Sequence, residues 1–109
     1  MRFGRSVKSH ADHPVNDFRE VVDVDTQFID VREPDEVAGG SLPGTVNIPL
    51  GQLPDRVGEL DPSQRVVLLC RSGGRSTKAA KHLTSVGFTD VVNLEGGMLA
   101  VRPNSKEKS

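Results

Sequence analysis

Val66-Val67-Leu68-Leu69-Cys70 is an apolar stretch that ends in a cysteine. It is followed by a polar, glycine-containing stretch, Arg71-Ser72-Gly73-Gly74-Arg75-Ser76-Thr77, and together the two indicate the fold class of this chain. An apolar run of this length is typical of a buried parallel strand, and the two glycines let the backbone after it turn tightly. Ser76 or Thr77 can cap a helix that follows, and a helix N-terminus favours negative charge. Cys70, the only cysteine in 109 residues, is therefore predicted to end a strand at a loop that favours a thiolate.

Strand and helix signals alternate on both sides of this stretch. The predicted strands are residues 28–31, 45–48, 65–70 and 91–92. Three helices are predicted. The first is residues 34–38, and the second has Leu53, Val57 and Leu60 on one face. The third has Gly87 as its C-terminal cap, and its inner face is formed by Ala79, Ala80, Leu83 and Val86. Strand–helix–strand units joined by short loops predict an α/β domain with a central, mostly parallel sheet of about five strands and helices on both faces. Ligands of such sheets bind at the carboxyl ends of strands, where Cys70 is placed.

Charge is distributed unevenly along a chain whose formal net charge is −1. No acidic residue occurs between Asp61 and Asp90, whereas residues 12–36 contain nine acids and two arginines. The acid-free segment contains five basic residues: Arg65, Arg71, Arg75, Lys78 and Lys81. This pattern favours a small anionic substrate, and the basic segment is too short and too poor in aromatic residues to indicate nucleic-acid binding.

The length and the single cysteine limit the possible organisation. We expect one domain over residues 26–101, a partly ordered lead-in over residues 1–25 and a disordered polar tail over residues 102–109. No stretch resembles a secretory signal or a membrane span, so we expect a cytoplasmic monomer. The three histidines, His10, His13 and His82, lack metal-ligand spacing, so no metal or cofactor is predicted.

Four separated stretches carry a family resemblance. They are residues 29–33 (Ile-Asp-Val-Arg-Glu), 40–49 (Gly-Ser-Leu-Pro-Gly-Thr-Val-Asn-Ile-Pro), 70–76, and 87–88 together with 92–97. In their order and spacing they resemble the rhodanese family of single-domain sulfurtransferases. The family usually has histidine where this chain has Ser41, and tryptophan where it has Val101. These departures concern packing and loop support more than sulfur chemistry.

The resemblance implies a sulfurtransferase mechanism. The Cys70 thiolate would take sulfur from a thiosulfate-like donor and carry it as a persulfide to cyanide, a small thiol or a protein thiol. A cradle of backbone N–H groups would stabilise the terminal sulfur. Arg71 and Arg75 would attract the donor and lower the pKa of Cys70, while Gly73 and Gly74 leave room for the sulfur. The predicted cradle residues are Arg71, Ser72, Gly73, Gly74, Arg75 and Ser76.

Two charged residues of the first signature are predicted to have supporting roles. Carboxylates and arginines at strand ends commonly form ion pairs that brace loops. We therefore expect Asp30 to be structural, and we favour a bracing role over direct substrate contact for Arg32.

Other functions stay open at this point. A lone cysteine after an apolar strand is more often an inert small hydrophobe, and only the loop after Cys70 favours a nucleophile. Cysteine phosphatases and arsenate reductases usually have five residues between the cysteine and the arginine, whereas four separate Cys70 from Arg75. A non-catalytic rhodanese-like interaction module is the main alternative, although that class often lacks the cysteine. The sequence is compatible with several physiological donors, acceptors and pathways.

Overall fold

Five short strands form a sheet in which every neighbouring pair is parallel. The computed structural model describes residues 10–103, and the strand order in it is β1-β5-β4-β2-β3. The strands are β1 (Ala11–Pro14), β2 (Gln27–Asp30), β3 (Val46–Asn47), β4 (Val66–Leu69) and β5 (Val91–Glu95). The α-helices are α1 (Pro34–Ala38), α2 (Leu53–Arg56), α3 (Gly74–Ser85) and α4 (Gly97–Ala100), and 3₁₀ helices span Val15–Glu20, Leu50–Gln52 and Val57–Glu59.

The central strand β4 has both of its faces buried. Val66 and Leu68 pack with Cys70 into a core that includes residues of α2 and α3. Val67 and Leu69 point the other way, into a core completed by the 3₁₀ helix Val15–Glu20 and by Met98 of α4. Strands alternate their side chains in this way, so an unbroken apolar run fits a strand covered on both faces. The predicted α/β domain with helices on both faces of a parallel sheet is therefore confirmed.

Helix α3 begins earlier than its predicted caps. Gly73 is the N-cap in the left-handed conformation, with φ of 106°, and the helix starts at Gly74. Ser76 Oγ and Thr77 Oγ1 lie 3.2 and 2.7 Å from the carbonyl oxygen of Gly73, inside the first turn, so neither residue caps the helix. The early start places the helix N-terminus directly beside Cys70.

The C-terminal end of α3 confirms one prediction and corrects another. Gly87 has φ of 107°, and the N–H groups of Gly87 and Phe88 donate to the carbonyls of Thr84 and Leu83, respectively. This is the Schellman pattern that a glycine after a helix permits. Val86 is not part of the inner stripe, because the helix ends at Ser85 and Val86 is 48% exposed.

The N-terminal limit predicted for the domain, residue 26, is too late. Strand β1 pairs with β5 from Ala11 opposite Val92 onward, and Val15 and Phe18 are buried in the core. The sequence does not predict this strand, because the strand is short, mostly exposed and contains Pro14.

The predicted tail lies largely outside the described residues, which end at residue 103, but the Arg102 N–H donates to Asn16 Oδ1. No helix within residues 10–103 is long and apolar enough to cross a bilayer.

Candidate active site

Cys70 follows β4 directly and is 1% exposed. The backbone N–H of Gly73 donates to its Sγ atom over 3.0 Å, and Ser76 Oγ lies 3.3 Å from the same sulfur. The left-handed Gly73 makes this approach possible, because a side chain in that conformation would be strained. The loop and the first turn of α3 therefore bring hydrogen-bonding groups to one sulfur atom.

The local environment favours the thiolate form of Cys70. Burial raises the pKa of the thiol, but hydrogen bonds outweigh burial and the pKa lies below its ordinary value. These hydrogen bonds come from the Ser76 side chain and from the backbone of Ser76, Gly73 and Ser72. Hydrogen bonds are thus the main causes that lower this pKa, and the arginine charges that the sequence predicts are not among its largest causes.

Helix α4 fixes the orientation of the loop backbone. Met98 N–H donates to the Cys70 carbonyl over 2.8 Å, and Leu99 N–H donates to the Arg71 carbonyl over 2.9 Å. The C=O and N–H of a trans peptide point in opposite directions, so these bonds turn the following N–H groups away from α4. A Cβ on Gly97 would lie 2.5 Å from backbone atoms of Cys70 and Arg71. Only glycine therefore lets α4 approach this closely.

The two loop arginines have different surroundings. Arg75 forms a bidentate ion pair with Glu36 of α1, with N–O distances of 2.7 and 2.8 Å. Hydrogen bonding to Glu36 is the first cause of the raised pKa of Arg75, and the charge of Cys70 is a lesser one. Arg71 is exposed, and within the described residues its side chain makes no hydrogen bond or ion pair. Arg71 is therefore the loop arginine available to an incoming anion.

Ser76 connects Cys70 to the edge of the sheet. Its hydroxyl makes a short hydrogen bond to Oδ1 of Asn93 on β5. Asn93 Nδ2 donates over 3.1 Å to Oδ1 of Asp12 on β1. Ser76 and Asn93 are buried, whereas the Asp12 side chain is 38% exposed. We call Ser76, Asn93 and Asp12 the serine network, which runs from the buried sulfur to a solvated carboxylate.

An open cleft of about 440 Å³ lies beside the loop. It is lined by Ser72, Gly73 and Thr77 of the active-site segment, by the C-terminal end of β5 and by His10 and Asp12. The end of the sheet that carries Cys70 is therefore open next to the loop, as expected for the carboxyl ends of parallel strands.

The structure separates the roles predicted for the two glycines. Gly73 is required by its backbone conformation, since a Cβ there would lie no closer than 3.7 Å to its nearest neighbour, the Gly96 nitrogen. A Cβ on Gly74 would meet no atom within 4 Å. That space for Gly74 fits the predicted room for a bound sulfur, which stays a prediction.

Residues 15–103 match the family model of the rhodanese-like domain. The chain belongs to the rhodanese-like family. It is 41% identical over 93 residues to the putative sulfurtransferase YtwF of Bacillus subtilis, covering 84% of this chain and 89% of that protein. It is 38% identical to a sulfurtransferase of Allochromatium vinosum, covering 70% and 71% of the two chains. The crystal structure of a rhodanese-like domain protein from Staphylococcus aureus superposes with a TM-score of 0.75 at 29% identity, covering 83% and 89%.

The first signature of this rhodanese-like domain forms a buried brace. Asp30 is fully buried and accepts hydrogen bonds from the Arg32 backbone and guanidinium and from Ser41 Oγ. Arg32 also donates to the carbonyls of Gly40 and Glu36. Both residues thus connect β2 to the segment before β3. These contacts fit the bracing roles that the sequence predicts for Asp30 and Arg32.

The two departures from the family pattern also have structural places. Ser41 Oγ donates to the Asp30 carboxylate over 2.6 Å, so the serine at this position has a buried hydrogen-bond partner. Val101 is partly buried against the core that contains Phe18 and Leu94. A smaller side chain therefore fills the place of the usual tryptophan.

Sequence reasoning missed Glu36, Asn93 and Asp12. Glu36 is one of nine acids in residues 12–36, and Asn93 stands between Val92 and Leu94, where an isolated amide is a usable signal of a buried polar contact. Asp12 carries no such signal, because its strand is short and mostly exposed. Among residues 10–103, no group of three or more His, Cys, Asp or Glu side chains is arranged to hold a metal ion.

Proposed function

We propose that this rhodanese-like domain is a sulfurtransferase that moves a sulfane sulfur from a thiosulfate-like donor to a thiophilic acceptor through a Cys70 persulfide. The observation that supports this best is the sulfur of Cys70, which receives the Gly73 N–H at 3.0 Å beside the Ser76 hydroxyl. Such donors stabilise a thiolate, which is the nucleophilic form of cysteine. The sulfurtransferase names of the relatives support the same reaction class.

The loading step balances without a cofactor. The Cys70 thiolate attacks the outer sulfur of thiosulfate, a new S–S bond forms, and the S–S bond of the donor breaks. Its electron pair leaves with sulfite, and the negative charge of Cys70 moves to the new terminal sulfur. Arg71, the exposed loop arginine without a partner in the described residues, attracts the dianionic donor.

The unloading step transfers the terminal sulfur to the acceptor. Cyanide attacks that sulfur, thiocyanate leaves, and the electron pair of the S–S bond returns to Cys70. The inner sulfur is protected because Cys70 is 1% exposed, so an acceptor thiol reaches the outer atom first. Attack at the outer atom passes on sulfur and avoids a mixed disulfide with Cys70.

Intact-protein mass spectrometry tests the proposal directly. Purified protein is incubated briefly with thiosulfate and compared with Cys70→Ser. We expect a gain of one sulfur, about 32 Da, in the unsubstituted protein only, and its loss on addition of cyanide. No adduct with thiosulfate or with a second sulfane donor would overturn the proposal and favour a non-catalytic interaction module.

A further inference from the structure

We propose that Asn93, held in place by Asp12, is a positioning residue that provides the Ser76 hydroxyl with a second acceptor. In this scheme Ser76 donates to the Cys70 sulfur while it is a thiolate, and to Asn93 once the sulfur has been loaded. The proposal deepens the proposed function and depends on it only for the loaded state. Asn93 would act on Cys70 through Ser76, without touching the reacting atoms.

The Ser76 hydroxyl has one proton and three possible acceptors. These are Cys70 Sγ, the Gly73 carbonyl and Asn93 Oδ1. The Gly73 carbonyl already accepts from Thr77 N–H at 3.1 Å and from Thr77 Oγ1 at 2.7 Å. A carbonyl oxygen has two lone pairs, so both are in use. The choice for the Ser76 proton is therefore between the sulfur and Asn93.

Asp12 determines which end of the Asn93 amide faces Ser76. A carboxylate only accepts hydrogen bonds, so the Nδ2 group must point toward Asp12 and Oδ1 toward Ser76. The parallel register places Asp12 directly opposite Asn93 on the neighbouring strand. Ser76 and Asn93 are 0% and 3% exposed, so bulk water does not compete for the hydroxyl proton.

Sulfur loading changes what Ser76 faces. Before loading, Sγ carries the negative charge and is the stronger acceptor for the hydroxyl proton. After loading, Sγ is bonded to a second sulfur and the charge resides on the terminal atom. Without Asn93 the buried hydroxyl would then lack a partner, which would penalise the loaded state. When Cys70 is a protonated thiol, its S–H donates to Ser76 Oγ. The Ser76 hydroxyl proton then also requires Asn93 as its acceptor.

Other charged groups surround Cys70 and act alongside the serine network. Arg75 of α3 is paired with Glu36 of α1, and Asp30 at the end of β2 is paired with Arg32. Arg71 lies in the loop, and His10 lies 3.3 Å from Asp12 on β1. The variants below leave all of these residues unchanged except Asp12, so their effects report on the network.

The test measures the Cys70 thiolate fraction from the pH dependence of iodoacetamide alkylation. Asn93→Leu keeps the size of the side chain and removes the second acceptor. We expect Asn93→Leu to shift the equilibrium between the Cys70 thiol and its thiolate about ten-fold toward the thiolate. The lifetime of the persulfide should shorten by a similar factor. Ser76→Ala should shift the equilibrium the opposite way, because the thiolate loses its hydroxyl donor.

Substitutions of Asp12 test the anchoring step. Asp12→Leu frees the Asn93 amide to rotate, so we expect a shift of the same sign as in Asn93→Leu. Asp12→Asn retains an acceptor oxygen for Nδ2 and should restore the behaviour of the unsubstituted protein. Val92→Ala, on the same strand but in the opposite core, is the control for a general loss of stability.

A merely structural role for Asn93 gives a different result. If Asn93→Leu folds and alkylates with the pH midpoint of the unsubstituted protein, the proposal is wrong. If Asn93→Leu fails to fold, the two Asp12 variants decide instead. Identical pH midpoints of alkylation for Asp12→Leu and Asp12→Asn would show that the proposal is wrong. Absence of a persulfide would overturn the proposed function. Alkylation needs no sulfur donor, so the effect of Asn93 on the thiol–thiolate equilibrium of Cys70 could still be measured.

Discussion

The loop that follows Cys70, residues 71–76, is supported on two sides by different kinds of contact. On the α1 side the direct contact is the ion pair between Arg75 and Glu36, and behind it the buried pair Asp30–Arg32 holds the Glu36 carbonyl through Arg32. On the α4 side they are backbone hydrogen bonds from Met98 and Leu99, made possible by a glycine. The α1 side therefore depends on which charges are present. The α4 side depends on the absence of a side chain.

This difference assigns separate tasks to the two sides. Backbone bonds have no charge to titrate, so the direction of the loop carbonyls is fixed at every pH. Ion pairs respond to pH and, where exposed, to salt. The orientation of the backbone groups around Cys70 is thus independent of the charge state of the side chains on the loop surface. Three substitutions test that separation, in decreasing order of expected effect.

Breaking the buried ion pair on the α1 side should have the largest effect. Asp30→Asn leaves the buried Arg32 guanidinium without its carboxylate, which costs about 3–5 kcal/mol in the free energy of unfolding. Urea unfolding followed by circular dichroism measures this change.

The matched control removes both charges. The cost of the single variant comes from an unpaired buried charge, so Asp30→Asn combined with Arg32→Leu, which leaves no charge at either position, should recover much of the lost stability. A loss below about 1 kcal/mol in the single variant would show that this pair does not stabilise the fold as a buried ion pair.

Adding one methyl group on the α4 side should have the next largest effect. A Cβ at Gly97 would lie 2.5 Å from backbone atoms of Cys70 and Arg71, so the two segments must separate. We expect Gly97→Ala to reduce stability by about 2–3 kcal/mol. The pKa of Cys70 should also rise, because its hydrogen-bond donors shift, and alkylation kinetics measure that rise.

Gly51→Ala is the matched control for Gly97→Ala. A Cβ there would meet no atom within 4 Å, and the site is remote from the loop in sequence. If the two alanine variants are equally stable and alkylate alike, the backbone contact with α4 does not position the loop.

Neutralising Glu36 should have the smallest effect and the clearest dependence on pH. Hydrogen bonding to Arg75 lowers the pKa of Glu36 from its ordinary 4.5 to about 2. A lowered pKa means that the carboxylate stabilises the folded protein above pH 4.5, and this contribution is lost as the pH falls toward 2. Glu36→Gln should therefore cost less than about 1 kcal/mol at pH 7, because the pair is partly exposed.

The comparison of Glu36→Gln with the unsubstituted protein is made by thermal unfolding across this pH range. The difference should shrink below pH 4.5, and added salt should reduce it at pH 7. Asp35→Asn, at an exposed position of the same helix, is the control. A difference that stays constant from pH 7 to pH 2 would contradict the ion-pair explanation.

The sequence predicted the parts of the molecule that local patterns encode. The apolar run of β4, the glycine after α3 and the cysteine before a glycine-rich loop each carry a local signal, and each lies where predicted. Contacts between distant segments were not predictable in this way. The pairing of Arg75 with Glu36 depends on how α1 folds back over the loop, and β1 is recognisable only through its partner β5.

The contact between α4 and the loop also bears on the order of events during synthesis. Cys70 leaves the ribosome before Met98 and Leu99, and β1, although made first, must wait for β5. Sheets assembled from such distant segments form late, since non-local contacts require the chain to close long loops. A nascent chain that ends before β5 therefore carries the cysteine without the backbone bonds that orient its surroundings. The hydrogen-bonded surroundings of Cys70 are therefore complete only once the C-terminal segment has docked.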